Sequence, residues 1–403
     1  MSAAVRPRRS LSVPDMARAG RRVLAVGFFG ILPVALLLVI LVGSFHIGTS
    51  AWSIDFDGNF YKPAREIVHG LSPYHPDALM RVRHAVANGH KPDEFQQGVF
   101  VAYPAPALLL GVPFQYLPLA LAQWLWIGCM LAAGALALRI AGVRDWRVYG
   151  AALLTPAAVS SLMLGAVDLV LVLGLALCWR WREHAGRAGL ALGGIIALKL
   201  LAAPLIAWLL VTRRWRAAAV ACVTSAVLLL GGWALIGFHG ITGYQHLLSV
   251  LTDIESSRGY SPVAFANALG VSGPAALLAP YAAGAVALAA MWIVSRRHEG
   301  ADEATFLLGV LAVLAFSPIV WHHYLLLLLV PLAIYSPRLT PIWCLPLACW
   351  IGWKGAFYYT GWFERTIFWL VLAGIVAWML TRERARADGL AGRDLIAETP
   401  AAG

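Results

Sequence analysis

The run VLAVGFFGILPVALLLVILV, residues Val23–Val42, carries no charged side chain over 20 positions. At 1.5 Å of rise per residue it is helix enough to cross a hydrocarbon core about 30 Å thick. It is too long for the apolar core of a signal peptide, and no small-residue cleavage site follows it, so it reads as a retained span. Apolar runs of similar length recur through the 403 residues. With 60% hydrophobic and only 13% charged residues, the composition excludes a soluble globule. The net charge of +11 is no sign of a nucleic-acid partner, because the arginines sit in short turns between apolar runs and at both ends. That distribution is a topology signal.

Arg6, Arg8, Arg9, Arg18, Arg21 and Arg22 precede the first run and place the N-terminal segment, residues 1–22, on the cytoplasmic side. The next hydrophilic stretch, 45–102, is then outside. Continuing the alternation, Leu119–Ala141 returns to the basic turn of Arg139, Arg144 and Arg147. Val148–Leu164 and Leu169–Trp181 form a pair joined outside at Gly165-Ala166-Val167-Asp168. The apolar run Ala188–Val211 has basic residues at both ends, Arg187 before it and Arg213, Arg214 and Arg216 after it. A single crossing would put three arginines outside, so the run is expected to go out and return as two half-helices around Lys199 and Pro204.

Ala217–Phe238 crosses outward, His239–Gly273 is an outer loop, and Pro274–Val294 returns. Thr305–Tyr335 is a pair bent outside at Ser317-Pro318, and a last pair brackets Trp353–Glu364, including Tyr358 and Tyr359. The count is about twelve membrane segments in one domain, 23–381, with a polar, disordered cytoplasmic tail at 382–403. Cys129, Cys178, Cys222, Cys344 and Cys349 lie in or beside apolar runs without metal-ligand or disulfide spacing. They read as small membrane-buried hydrophobes, and no metal site is expected.

The outer face collects the chemistry. Just after the first span comes DFDGNFYKPAREIVHGLSPY, residues Asp55–Tyr74, with two carboxylates at the membrane surface ahead of an amphipathic, helix-like run. Asp55 and Asp57 are candidates for a general base, and against that stands the plainer role of capping the helix that begins near Phe60. Lys199, in the broken run, is either a cation of a site or a side chain snorkelling from a helix end. His322 and His323 are either site residues or interface histidines bonded to backbone freed at Pro318. Asp168 is a weaker candidate, and Arg65, Glu66 and His69 are a solvated helix face. Arg258 and Arg365 add outer cations.

The order Asp55-Phe56-x-Gly58, Tyr61-x-Pro63-Ala64-Arg65, Gly70-x-Ser72-Pro73-Tyr74, Tyr103-Pro104-Ala105-Pro106, Gly142-Val143-Arg144-Asp145-Trp146, Ala197-Leu198-Lys199, Arg213-Arg214-Trp215-Arg216-Ala217 and Ser317-Pro318-Ile319-Val320-Trp321-His322-His323-Tyr324 resembles glycosyltransferase family 87. The resemblance covers about residues 50–345. It implies an all-α polytopic fold of the GT-C type and a bacterial cytoplasmic-membrane location with an extracytoplasmic site. It also implies transfer of a sugar, mannose first and arabinofuranose as the alternative, from a polyprenyl-phosphate donor to a glycolipid or polysaccharide. No cofactor is implied beyond that donor substrate.

On this reading Asp55, which opens the motif, is the base ahead of Asp57. Lys199, His322, His323, Arg258, Arg365, Tyr61 and Tyr103 serve the donor phosphate or the substrate. Where members commonly carry Gly-Gln or Gly-Asn, this chain has Gly165-Ala166-Val167-Asp168. Two other classes fit a chain of many spans. A transporter or flippase suits broken helices, but it calls for charges at the midplane and a repeat between halves. A noncatalytic scaffold gives no reason for Asp55, Lys199 and the histidines to share a face.

Overall fold

The structure is a computed structural model and describes residues 13–46, 53–74, 84, 88, 101–297, 302–353 and 361–397. Outside the described residues lie Arg6, Arg8, Arg9, Tyr358, Tyr359 and, apart from His84 and Asn88, the stretch 75–100 of the first outer loop. Every element among the described residues is helical.

In chain order these are α1 (Val13–Val26), α2 (Leu32–His46), α3 (Ile54–Phe56), α4 (Lys62–Val68), α5 (Ala105–Leu108), α6 (Leu119–Ile140), α7 (Trp146–Leu153), α8 (Pro156–Leu164) and α9 (Asp168–Arg180). There follow α10 (Ala185–Leu198), α11 (Leu205–Val211), α12 (Trp215–Leu235), α13 (Ile241–Glu255), α14 (Pro262–Ala268), α15 (Ala279–Arg297), α16 (Asp302–Phe316), α17 (Leu329–Tyr335) and α18 (Trp362–Ala397).

Five helices are long and apolar enough to cross a membrane: Ala19–Ile40, Leu119–Ile140, Trp215–Leu235, Gly273–Arg296 and Trp362–Arg382. The pair α7 and α8, bent by 66°, makes a sixth if it is counted as one span. This is a multi-pass membrane protein. The remaining apolar runs that the sequence reading counted as spans are shorter pieces, Ala185–Leu198, Leu200–Val211, His322–Tyr335 and Pro341–Gly352. Proline and polar breaks interrupt the apolar runs: Pro156 opens α8 in the bent pair, Lys199 ends α10 in an extended backbone (φ −151°, ψ 108°), and Pro204 precedes α11. Such breaks survive in an apolar bundle only where neighbouring protein or a wet cavity satisfies the freed backbone.

Side-chain contacts give the helix directions. Trp126 Nε1 donates to Gly165 O at 2.8 Å, and a Cβ on Gly134 would meet Leu169 at 3.0 Å, so α6 and α9 run the same way. Helices α10 and α12 also run parallel. A Cβ on Gly189 would stand 2.5 Å from Val220, and one on Gly193 2.6 Å from Thr224, the close approach that glycines four apart allow in membranes.

The two ends of the run Ala185–Val211 lie together, because Arg214 Nη2 reaches Glu183 Oε1 at 2.7 Å. The chain therefore goes across and comes back, as the flanking arginines require. On the same face Asp302 accepts from Arg182 Nε at 3.1 Å and from Arg214 Nη1 and Nη2 at 2.9 and 2.8 Å. Burial favours the neutral acid, but the two guanidiniums outweigh it and hold the Asp302 carboxyl below its ordinary range. The turn after α6 is closed in the same manner: Asp145 caps α7 through the Arg147 amide and also accepts from the Leu339 amide at 3.0 Å.

Two expectations need correction. The stretch His239–Gly273 is no open loop, since α13 and α14 occupy most of it and α13 buries Tyr244, Leu247, Val250 and Leu251. The tail from 382 is helical through Ala397. Its alanine, arginine, glutamate and leucine residues are strong helix formers and continue the span that precedes them.

Candidate active site

The end of the bundle opposite the arginine turns holds a cavity of about 510 Å³. Its polar wall includes Asp55, Asn59, Tyr103, Lys199, Glu255, Arg258, His323 and Tyr324. A large apolar wall is built from Leu200, Leu201, Leu248, Leu251, Val313, Phe316 and Trp321. Segments far apart in sequence meet here because the short helices after the first span fold back over the bundle. The Ser53 amide donates to Met163 O at 2.7 Å, tying the start of α3 to the end of α8.

Helix α3 begins at Ile54, with Ser53 in the left-handed region (φ 59°), so neither acidic residue is the side-chain cap that the sequence allowed. Asp55 faces the cavity. Its Oδ1 accepts from Asn59 Nδ2 at 3.4 Å, one helical turn on, while Asn59 Oδ1 accepts from the Ala102 amide at 3.0 Å. Asp57 turns away and pairs with Lys62 at 2.7 Å, and it does not line the cavity. Asp55 lies between the spans Ala19–Ile40 and Leu119–Ile140. Burial pushes its carboxyl up to about 6, against a downward pull from the Lys199 charge and with a further upward push from Asp168.

Lys199 enters from the break after α10, with its Nζ 3.1 Å from Asp168 Oδ1, 4.0 Å from the Tyr324 ring centroid and 5.5 Å from that of Tyr103. Tyr103 is held by its backbone: Tyr74 donates to Tyr103 O at 2.9 Å and Tyr244 donates to Ala102 O at 3.0 Å. His323 lines the cavity with Nε2 3.6 Å from Asp168 Oδ2.

The other sequence candidates are placed elsewhere. His322 points away from the cavity, against Tyr260 and Phe368 with ring centroids 5.5 and 6.1 Å apart. Arg258 does line it, paired with Glu255 at 2.8 Å. Arg365 lies behind, donating to Ser257 O at 2.6 Å and to Gly259 O at 3.1 Å, and so holds the loop that carries Arg258. Tyr61 is packed on Phe56 and donates to Leu117 O at 2.7 Å. Arg65 and His69 are exposed and Glu66 is half-buried, in keeping with a solvated face.

Residues that sequence reasoning passed over are Asn59, Tyr244, Glu255 and Tyr324, and Asp168 stands against two residues of the site, Lys199 and His323. Asn59 was findable, because it lies four residues after Asp55 on one helix face. The others come from elements whose approach no local pattern encodes.

The arrangement offers a carboxylate, a lysine ammonium and a second cation at Arg258 around one pocket with an apolar flank. Groups of that chemistry are able to take a proton from a hydroxyl, to receive an anionic leaving group and to shelter a hydrocarbon chain.

In comparison with known proteins, the model of a family described as Glycosyltransferase family 87 matches residues 100–318, more than half of the chain. The match takes in Tyr103, Asp168, Lys199, Glu255 and Arg258 and stops short of Asp55 on one side and His323 on the other. No curated protein and no solved structure matches.

Proposed function

The chain belongs to glycosyltransferase family 87, and from that premise we propose that it moves a sugar from a polyprenyl-phosphate donor to a glycolipid or polysaccharide acceptor, with inversion at the anomeric carbon. Mannose is the first choice of sugar and arabinofuranose the second. The fold is of the GT-C type with about twelve membrane segments, and the cavity opens on the extracytoplasmic face of a bacterial cytoplasmic membrane.

The observation that carries this reading is that Asp55 and Lys199 line the same cavity as a continuous apolar wall. Asp55 takes the acceptor hydroxyl proton as that oxygen bonds to the anomeric carbon. The bond from that carbon to the phosphate oxygen breaks, and the phosphate leaves with the electron pair. The Lys199 ammonium, with His323 beside it, receives the developing charge in a site of low polarity where a fixed cation acts strongly. The apolar wall accommodates the first isoprene units, and Arg258, which also lines the pocket, offers a second cation to the substrate. No nucleotide is consumed, since the donor already carries its leaving group.

The test is transfer of radiolabel by the purified protein in lipid vesicles, with polyprenyl-phosphate mannose and polyprenyl-phosphate arabinofuranose offered separately. Label appearing in a glycolipid or polysaccharide supports the reading and names the sugar. Movement of intact donor between leaflets without transfer would make the protein a flippase.

A further inference from the structure

Asp168 is 1% exposed and does not line the cavity, yet the two side chains that approach its carboxylate, Lys199 and His323, do. One carboxylate oxygen accepts from Lys199 Nζ at 3.1 Å. The other lies 3.6 Å from His323 Nε2 and accepts no hydrogen bond among the described residues. We infer that Asp168 is a positioning residue that fixes the Lys199 ammonium in the cavity wall, in the place and charge state the departing phosphate needs. This rests on the role proposed above for Lys199.

The geometry gives three reasons. Lys199 extends from a helix break, not from a helix face, so no neighbouring turn restricts its four-carbon stem, and something must fix its end. Its side chain is only 13% exposed, and an ammonium that buried is costly without a partner. An ammonium also has three donors. Asp168 takes one and the Tyr324 hydroxyl a second, with the Tyr324 ring 4.0 Å away, which leaves one donor for an incoming anion.

The carboxylate is itself well placed to stay ionised. It is the first residue of the 13-residue helix α9, whose end favours negative charge. The turn before it holds Gly165 at φ 69° against Phe56, so the element that carries Asp55 also sets the position of Asp168.

The experiment compares Lys199→Met, Asp168→Asn and the double variant by radiolabel transfer in vesicles, with melting temperature and elution profile as controls. If Asp168 acts through Lys199, Asp168→Asn lowers kcat by about 10- to 100-fold with the acceptor KM unchanged. Adding it to Lys199→Met then costs no more than a further factor of about two. Losses that multiply, or a wild-type rate in Asp168→Asn while Lys199→Met is impaired, overturn the inference and leave the Lys199 role standing. A wild-type rate in Lys199→Met removes that role and the inference with it. Should Asp168→Asn alone fail to fold, the double variant decides, since it leaves no unpaired charge. A folded double that behaves like Lys199→Met supports positioning, and a double that does not fold makes Asp168 a residue of the fold.

Discussion

Phe56 packs on Gly165 so closely that a Cβ added to the glycine would stand 2.7 Å from the Phe56 Cβ. The contact joins the helix of Asp55 to the turn that ends in Asp168, two segments more than a hundred residues apart in sequence. The contact therefore helps to set Asp55 relative to the Asp168–Lys199 pair.

Gly165→Ala should consequently be destabilising and should also impair transfer. The left-handed backbone at φ 69° disfavours any side chain, and the new methyl has only backbone-proximal atoms of Phe56 to displace. The combined cost is about 2–4 kcal/mol. Thermal unfolding in detergent measures the first effect and vesicle transfer the second. A variant with wild-type melting and wild-type rate would show that the contact is not tight in the working protein.

Asp55→Asn keeps the shape and the contact with Asn59 while removing the base, so transfer should fall by about 10² to 10⁴. Asp57→Asn should be mild, because Asp57 is paired with Lys62 away from the cavity. The reverse ranking would exchange the two assignments.

The raised pKa of Asp55 sets a pH dependence. The carboxyl is pushed up to about 6, so below that pH it carries the proton and cannot accept another. Transfer at subsaturating substrate should therefore rise with pH and level off above about 6. Lys199→Met removes the charge that pulls the value down, and in the residual activity of that variant the acid limb should move to higher pH. A limb near the ordinary carboxylate range, unmoved in the variant, would take the base role from Asp55.

On the arginine face, Asp302→Asn should loosen the bundle. It weakens the clamp on Arg182 and Arg214, groups that hold the turns after α9 and α11 together, at a cost on the order of 2 kcal/mol. Because the cavity of Asp55 and Lys199 lies at the other end, melting should drop more clearly than kcat.

Cysteine labelling in intact cells tests the orientation. A thiol placed at the exposed Asn88 should react with an impermeant reagent, and one at Glu183, 67% exposed beside the arginine turns, only after permeabilisation. Protection at Asn88 with reaction at Glu183 would invert the topology.

Much of this was legible in advance where the signal is local. The apolar runs, the basic turns and the return of the run around Lys199 follow from length, charge and a proline within one stretch of chain, and the Arg214–Glu183 pair agrees with them. Segment lengths were less legible, because a broken helix in a bundle is stabilised by neighbours that the broken stretch does not name. The polar tail carries no apolar pattern to mark it, but its helix-favouring residues extend α18 to Ala397.

The sequence by itself determined that the protein is a multi-pass membrane protein, that its arginine turns gather on one face, and that Asp55, Lys199 and the histidines belong to the other. The tertiary structure decided between near neighbours. Asp55 and Asp57 lie two residues apart on helical backbone, about 200° around the axis, so only one faces the cavity. His322 and His323 are adjacent in a 3₁₀ turn, about 120° apart, which sends one to the aromatic layer of Tyr260 and Phe368 and the other to the cavity and Asp168. Which side of a helix meets a distant segment depends on where that segment packs, and for Asp168 and Lys199 the partner lies 31 residues away across a turn and a broken helix.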